Sequence, residues 1–205
     1  MDTSQLLAFA SHLSLPLAGF LSKFLDEIVD EDYPIPDFIA IGVILLLGMY
    51  CGIAGFIDDI IAIIFLAFII GLILARKVDD WRIGLSAVII AGIIIFGRVL
   101  SQRILFSPSM LILGFLITLG IILDEVIHDY AERSLDNRFQ LLKMRPIIKI
   151  QPLIFIFLFP QFTLFYALDI WLFDLTYELT RILMQRRLMH TSKPIPLISG
   201  IYQPK

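Results

Sequence analysis

Hydrophobic residues occur in long, nearly uninterrupted blocks along this chain, and charged residues are mostly confined to the short segments between the blocks. The blocks are about 18 residues long or longer, which is the length at which an α-helix crosses the hydrocarbon core of a bilayer. The pattern predicts an all-α, polytopic membrane helical bundle with about seven transmembrane helices. The predicted spans are residues 5–28, 38–56, 59–76, 83–100, 107–128, 148–162 and 163–187.

The last two spans share one continuous apolar stretch, residues 150–176, which contains Pro160. Proline removes a helix hydrogen bond and clashes with the preceding turn, so we predict a helix break there. A single long kinked helix with a re-entrant piece is an alternative that the pattern leaves open.

Composition supports the membrane interpretation and excludes a typical soluble domain. Hydrophobic residues make up 59% of the 205 residues, the mean hydropathy is +0.90 and 17% of residues are charged, against about 25% in soluble proteins. We predict one transmembrane domain, residues 1–188, followed by a polar cytoplasmic tail, residues 189–205, and no nucleic-acid partner. Cys51 is the only cysteine in the sequence, which excludes internal disulfides and a thiolate metal site.

Basic residues are unevenly distributed over the predicted loops. If the N-terminus lies outside, the outer loops contain Arg98 and Arg103, and all other loop cations fall on the opposite face. Those cations are Arg76, Lys77, Arg82, Arg133, Arg138, Lys143, Arg145, Lys149, Arg186, Arg187, Lys193 and Lys205. Because lysine and arginine are enriched in cytoplasmic loops, we predict an outside N-terminus and a cytoplasmic C-terminus, and we interpret the membrane as a prokaryotic plasma membrane.

Two acidic helix ends resemble each other. The end of the first span reads FLDEIVDEDY and the end of the fifth reads ILDEVIHDYAER. Both contain Leu-Asp-Glu followed by two β-branched residues and another acid, and both emerge on the same predicted face. We interpret this as an internal repeat of two half-bundles that deliver acidic helix ends to one cavity; coincidence in a chain rich in these residues is the alternative.

Carboxylates at helical spacing make both ends candidate metal sites. Asp26 and Asp30 are four residues apart, and so lie on one helical face. Asp129, Glu132 and Asp136 recur at spacings of three and four. Mg²⁺ binds carboxylate oxygens together with substrate phosphates, so either group could hold it. A solvated acidic helix end is the alternative for the first group.

Basic residues follow the second acidic group directly. Arg138, Lys143 and Arg145 come before Pro146, and guanidinium groups bind phosphate oxygens in bidentate fashion. Acids followed by bases therefore favour a site for a metal ion and a diphosphate. A cytoplasmic anchor with internal salt bridges is the alternative interpretation.

The segment HDYAERSLDNRFQLLKMRPI resembles the first signature of the UbiA superfamily of intramembrane prenyltransferases. Asp129, Glu132 and Asp136 match its three acids, and Arg145-Pro146 matches its Arg-Pro pair. His128 stands where the family has asparagine. The segment FLDEIVDEDYPIPD is similar to the looser acidic motif of that family, with Asp26 and Asp30 as the equivalent residues.

The resemblance implies a function and a set of site residues. It implies an Mg²⁺-dependent prenyltransferase acting on an isoprenoid diphosphate and an unknown acceptor at the cytoplasmic face. It implies metal binding by Asp26, Asp30, Asp129, Glu132 and Asp136. Diphosphate would be held by Arg138, Lys143 and Arg145, and Asp129, Asp136 and Arg145 would be catalytic.

Charged residues in the last span favour a different function. Asp174, Glu178 and Arg181 share one helical face, and acids inside hydrocarbon usually mark an ion pathway or a site. A transporter for a cation or a proton is therefore an alternative, and a catalytically silent membrane subunit is another. A Glu178–Arg181 pair that only packs the bundle is the structural alternative.

Two smaller motifs give structural predictions. Asp58 and Asp59, in GFIDDI, are expected to form an N-terminal helix cap. Glu125-x-x-His128 matches one half of a di-iron motif, but the remaining histidines, His12 and His190, are badly placed to complete it.

Overall fold

The computed structural model describes residues 2–30, 36–78, 80–103, 106–133 and 145–191. Within these ranges the chain is all-helical, as predicted. The helices are α1 (Thr3–His12), α2 (Ser14–Asp30), α3 (Asp37–Ile57), α4 (Asp59–Leu74), α5 (Trp81–Leu100), α6 (Pro108–Arg133), α7 (Pro146–Leu158) and α8 (Leu164–Thr191).

Four helical segments are long and apolar enough to cross a membrane. They are Gln5–Ile28, which joins most of α1 to α2, together with Asp37–Ile57, Trp81–Leu100 and Pro108–Ala131. The chain therefore has the helices of a membrane-embedded protein. Their outward faces fit hydrocarbon, because they carry many exposed large apolar side chains, among them Phe38 at 72% and Phe115 at 65% exposure, and extended exposed apolar surface is uncommon on soluble monomers.

Three of the seven predicted spans differ from this set. Asp59–Leu74 and Pro146–Leu158 are apolar but shorter, and at 1.5 Å per residue they rise only about 24 Å and about 20 Å. α8 is longer, but its sequence is interrupted by charged residues. The predicted break at Pro160 is confirmed, because α7 ends at Leu158 and α8 begins at Leu164, which removes the single kinked helix as an alternative.

Side-chain caps fix where several helices begin. The Asp58 side chain accepts hydrogen bonds from the backbone N–H groups of Ile60 at 2.8 Å and Ile61 at 3.0 Å. These bonds satisfy two of the N–H donors that have no partner within α4. The predicted capping role of Asp58 is thus confirmed.

Neighbouring helices pack in pairs, and this packing positions the residues that line an internal cavity. α2 packs along α8, α3 along α5, and α4 along α6. At Gly19 the backbones of α2 and α8 come so close that a Cβ atom would lie 2.2 Å from the carbonyl oxygen of Phe173. This contact fixes the α2–α8 spacing, and both helices contribute to the cavity described below.

We expect Gly19→Ala to destabilise the protein by about 1–3 kcal/mol, the usual cost of overpacking, because the obstacle is backbone and cannot rotate away. Gly42→Ala, on the exposed side of α3, is the matched control. A Cβ atom added at Gly42 would meet nothing within 4 Å, and alanine is the better helix former. Unfolding titrations in mixed micelles would measure both. Equal stability of the two variants would contradict the close approach of α2 and α8.

Candidate functional site

A cavity of about 410 Å³ lies inside the bundle, between α2, α4, α5, α6 and α8. One end is polar, and we call it the charged end; it is lined by Asp26, Lys77, Asp124, Glu125, His128, Arg145, Asp174 and Tyr177. The deeper part is apolar and includes Leu15, Ala18, Leu47, Phe65, Phe68, Ile90 and Phe173. A pocket with charges at one end and hydrocarbon at the other suits an amphiphile with a polar head and an apolar tail.

On α2, Lys23 lies beside the charged end and contacts two of its residues, Asp26 and Tyr177. Its ammonium group contacts Asp26 at 2.6 Å and Glu27 at 3.0 Å. It also lies 5.3 Å from the centre of the Tyr177 ring, within cation–π range. The Tyr177 hydroxyl donates a hydrogen bond to Asp26 at 3.2 Å. These contacts link the acidic end of α2 to α8.

On α6, Asp124 holds the start of α7. It is 3% exposed, and its carboxylate accepts hydrogen bonds from the backbone N–H groups of Ile147 at 3.0 Å and Ile148 at 2.6 Å. Negative charge at a helix N-terminus is favoured by the unsatisfied donors and the helix dipole. Asp124 therefore fixes α7, and the preceding Arg145, against α6.

Glu125 is the least satisfied acid of the charged end. It is 4% exposed, and one of its oxygens contacts Arg145 at 2.9 Å. Its Oε2 is buried and has no hydrogen-bond partner among the described residues, although the Lys77 ammonium lies 3.7 Å away. A buried carboxylate oxygen is costly to leave without a donor or a cation, so this atom is suited to bind one.

Arg145 is held from two sides in an uncommon backbone conformation. Its φ of 51° lies in the left-handed region, which non-glycine residues seldom adopt. Besides the ion pair with Glu125, its guanidinium lies 5.8 Å from the centre of the Tyr177 ring. Lys23 and Arg145 thus both pack against Tyr177, which brings cations from two distant segments to the charged end.

Lys77, in the segment between α4 and α5, is another basic residue of the charged end. Its ammonium group contacts Asp129 at 2.7 Å. Burial alone would lower the pKa of Lys77, but its hydrogen bond to Asp129 and the negative charge of Glu125 outweigh burial and raise the pKa above its ordinary value. Lys77 is therefore a charged group at neutral pH, as an anion-binding residue must be.

The structure brings together some of the residues that the sequence predicted. Asp26 and Arg145 line the same cavity, and Asp129 contacts Lys77, which also lines it. Asp30 and Glu132 lie near the ends of α2 and α6, but their side chains fall outside the described structure. Asp136, Arg138 and Lys143 lie outside the described residues, as does the predicted tail from residue 192 onward.

Other residues of the charged end were not predicted as site residues. Asp124 and Glu125 line the cavity, whereas the sequence motif pointed to the acids that follow them. The repeated Leu-Asp-Glu was the signal that could have identified them, since Asp26 in one copy and Asp124 and Glu125 in the other line the same cavity. Lys23, Lys77 and Tyr177 had no recognisable signal, because their positions depend on tertiary packing.

Carboxylates outnumber cations at the cavity wall. Asp26, Asp124, Glu125 and Asp174 line it, against the basic residues Lys77 and Arg145. Within the described ranges there is no group of three or more His, Cys, Asp or Glu residues arranged to hold a metal ion, and a di-iron site has no support there. Mg²⁺, however, is commonly bound by one or two carboxylates plus substrate phosphates and water, so these residues fit a cation that arrives with a phosphorylated ligand.

A second polar group lies at the opposite end of the bundle. We call it the distal cluster; it comprises His12, Asp58, Asp59, Arg98, Tyr166 and Asp169. His12 is hydrogen-bonded to Asp169, and the Tyr166 hydroxyl donates to Asp58 at 2.9 Å. Arg98 contacts Asp59 at 2.5 Å. These contacts join α1, α4, α5 and α8 beyond the apolar end of the cavity.

Three other charged residues of α8 with described side chains, Asp174, Glu178 and Arg181, form ion pairs. Asp174 contacts Lys149 of α7 at 3.3 Å. Glu178 contacts Arg181 at 2.6 Å, as expected from their spacing.

Comparison of the chain with protein-family models, with curated proteins and with solved structures gives no match.

Proposed function

We propose that the cavity binds the magnesium complex of an isoprenoid diphosphate at the cytoplasmic face, and that the chain transfers the prenyl group to an acceptor. The observation that supports this most strongly is the polarity of the cavity, in which Asp26, Glu125 and Arg145 lie at one end and an apolar wall at the other. A diphosphate with a hydrocarbon tail has the same division.

The charged end offers groups for both the anion and its counter-ion. Lys77 and Arg145 would bind diphosphate oxygens, Arg145 in bidentate fashion. Asp26 and Glu125 would hold Mg²⁺. A cation is favoured here because the buried Oε2 atom of Glu125 has no hydrogen-bond partner in the described structure. When bound, Mg²⁺ would neutralise the charge that builds up on the departing diphosphate. Asp30, Asp129, Glu132 and Asp136 remain proposed additional metal ligands.

The apolar wall would protect the reacting carbon. When the allylic C–O bond breaks, its electron pair leaves with the diphosphate, and the acceptor supplies the pair for the new bond and loses a proton. Phe68 and Phe173 face the cavity with ring centres 5.0 Å apart, and aromatic faces stabilise nearby cations. The same wall would exclude water, which would otherwise capture the prenyl cation.

Release of diphosphate from geranyl diphosphate, with a membrane lipid extract as the source of acceptor, tests the proposal. We expect Arg145→Lys to slow release about 10-fold or more, because lysine keeps the charge but cannot form a bidentate contact. Asp129→Asn should also slow it, because Lys77 loses its charged partner. The pair Glu178–Arg181 lies elsewhere on α8, so Arg181→Lys should leave release unchanged. Release that is independent of Mg²⁺ and of Arg145 would contradict the proposal.

Transport of a proton or cation is a second candidate, favoured by the position of Asp174. This acid lies well inside α8, lines the cavity and pairs with Lys149, and the distal cluster adds the buried residues Arg98 and Asp169 on the other side. Paired charges inside a helical bundle are used in transporters. In proteoliposomes, a transporter should lose ion flux with Asp174→Asn and keep it with Arg145→Lys. An enzyme should instead show no ion flux in either form and should lose diphosphate release with Arg145→Lys.

A further inference from the structure

We propose that the cavity limits its ligand to one short apolar tail, about the length of a geranyl chain, and that the distal cluster enforces this limit. This inference rests on the proposed function, because it specifies the ligand of the same cavity. It follows from the volume of the cavity, the residues at its closed end and the polar groups that lie beyond them.

The volume sets the first limit. At about 30 Å³ for each atom-sized group, the share of a water molecule in the liquid, a cavity of about 410 Å³ holds about 14 such groups. That is close to a geranyl chain with its first phosphate. Along α2 the helix rises about 16 Å between Asp26 and Leu15. This length must hold the phosphate groups as well as the tail, so it is too short for a long prenyl chain.

The closed end sets the second limit. It is formed by Leu15, Leu47, Phe65 and Ile90, from α2, α3, α4 and α5. Leu15 is 0% exposed and the other three are at most 6% exposed. Side chains packed this closely do not move aside without straining their neighbours, so a longer tail could not pass between them cheaply.

The distal cluster prevents a longer tail from extending the cavity beyond its closed end. His12 lies about one helical turn before Leu15 along the chain, and Asp169 lies one turn before Phe173 on the same face of α8. His12 and Asp169 are hydrogen-bonded to each other. A tail that displaced Leu15 would therefore meet the buried carboxylate of Asp169 and would separate it from His12, which is costly. The apolar part of the cavity ends where this cluster begins.

Binding of a tail-length series to the full chain in nanodiscs tests the limit. Each methylene that enters an apolar site raises affinity about fourfold. We therefore expect affinity to rise steeply from dimethylallyl to geranyl diphosphate and then to stay within about twofold for farnesyl and geranylgeranyl diphosphate. A continuous rise through geranylgeranyl diphosphate would overturn the tail limit while leaving the proposed function intact.

Two cavity variants and one control make the result specific. Ala18→Leu fills the apolar part, and should lower geranyl diphosphate affinity about 10-fold or more without changing dimethylallyl diphosphate affinity. Leu15→Ala opens room for about three more carbons at the closed end, so it should raise the affinity for farnesyl diphosphate above that of the unchanged chain, with no further gain for geranylgeranyl diphosphate. Val88→Leu, on the 68% exposed lipid side of α5, should change nothing. Identical length profiles for Ala18→Leu and the unchanged chain would overturn the inference.

Alkyl monophosphates separate this inference from the proposed function. If prenyl diphosphates do not bind but hexyl, decyl and hexadecyl phosphate show the same plateau, the tail limit stands and the prenyl substrate is wrong. If none of the prenyl or alkyl series binds, the tail limit and the proposed function are both overturned.

Discussion

Replacement of Arg145 by alanine is expected to lower the free energy of unfolding by about 2–3 kcal/mol. Removing one partner of a fully buried ion pair costs about 3–5 kcal/mol, mainly because the other charge is left buried. Here Glu125 is 5% exposed in its side chain and Arg145 is 31% exposed. The partial exposure of Arg145 and the nearby Lys77 ammonium reduce the effect below the fully buried value.

A double variant separates the structural effect from the functional one. Glu125→Gln removes the charge that Arg145→Ala would leave buried, so the double variant should recover most of the lost stability. It should not recover diphosphate binding, because both proposed ligand groups are gone. Arg181→Ala is the control: its pair with Glu178 is exposed at 46% and 37%, and such surface pairs contribute about 0–1 kcal/mol. If Arg145→Ala were no more destabilising than Arg181→Ala, the Arg145–Glu125 pair would not contribute to the stability of the fold.

Replacement of Asp124 by alanine is expected to destabilise the start of α7 and to reduce stability by about 2–4 kcal/mol. Two backbone N–H groups, those of Ile147 and Ile148, would lose their acceptor, and a buried donor without a partner costs about 1–3 kcal/mol. Because Arg145 directly precedes α7, its ion pair with Glu125 should weaken as well. Diphosphate binding should therefore fall even though Asp124 need not contact the ligand.

Hydrogen exchange measures this effect directly. The amides of Ile147 and Ile148 should exchange much faster in Asp124→Ala, while those of α4 remain protected. Asp80→Ala is the matched control, because Asp80 caps α5 through one bond to the Arg82 N–H at 2.6 Å and its loss should cost about 1 kcal/mol. Unchanged protection at the start of α7 would show that Asp124 does not hold that helix.

The sequence predicted the helices well because each depends on a local pattern. The apolar blocks, Pro160 and Asp58 act through the residues next to them, and the structure agrees at each of these positions. Span number was less predictable, because α4 and α7 are apolar but short. Burial inside the bundle and burial in lipid leave the same apolar signal in a sequence.

The candidate site was only partly predictable, because its contacts join distant segments. The Leu-Asp-Glu repeat correctly indicated that the ends of α2 and α6 meet at one cavity. Nothing in the sequence indicated that Tyr177 of α8 would contact both Lys23 and Arg145, or that Asp124 would cap α7. The acids of the predicted motif began at Asp129, whereas on α6 the wall of the cavity runs from Ile121 to His128, the first residue of that motif.

Titration of geranyl diphosphate into the full chain in nanodiscs, with and without Mg²⁺, tests whether carboxylates from α2 and α6 face one cavity and hold a cation together with a phosphorylated ligand. We expect tight binding only when Mg²⁺ is present, and loss of that dependence in both Asp26→Asn and Glu125→Gln. Equal binding with and without Mg²⁺, or a dependence that survives both substitutions, would contradict this arrangement.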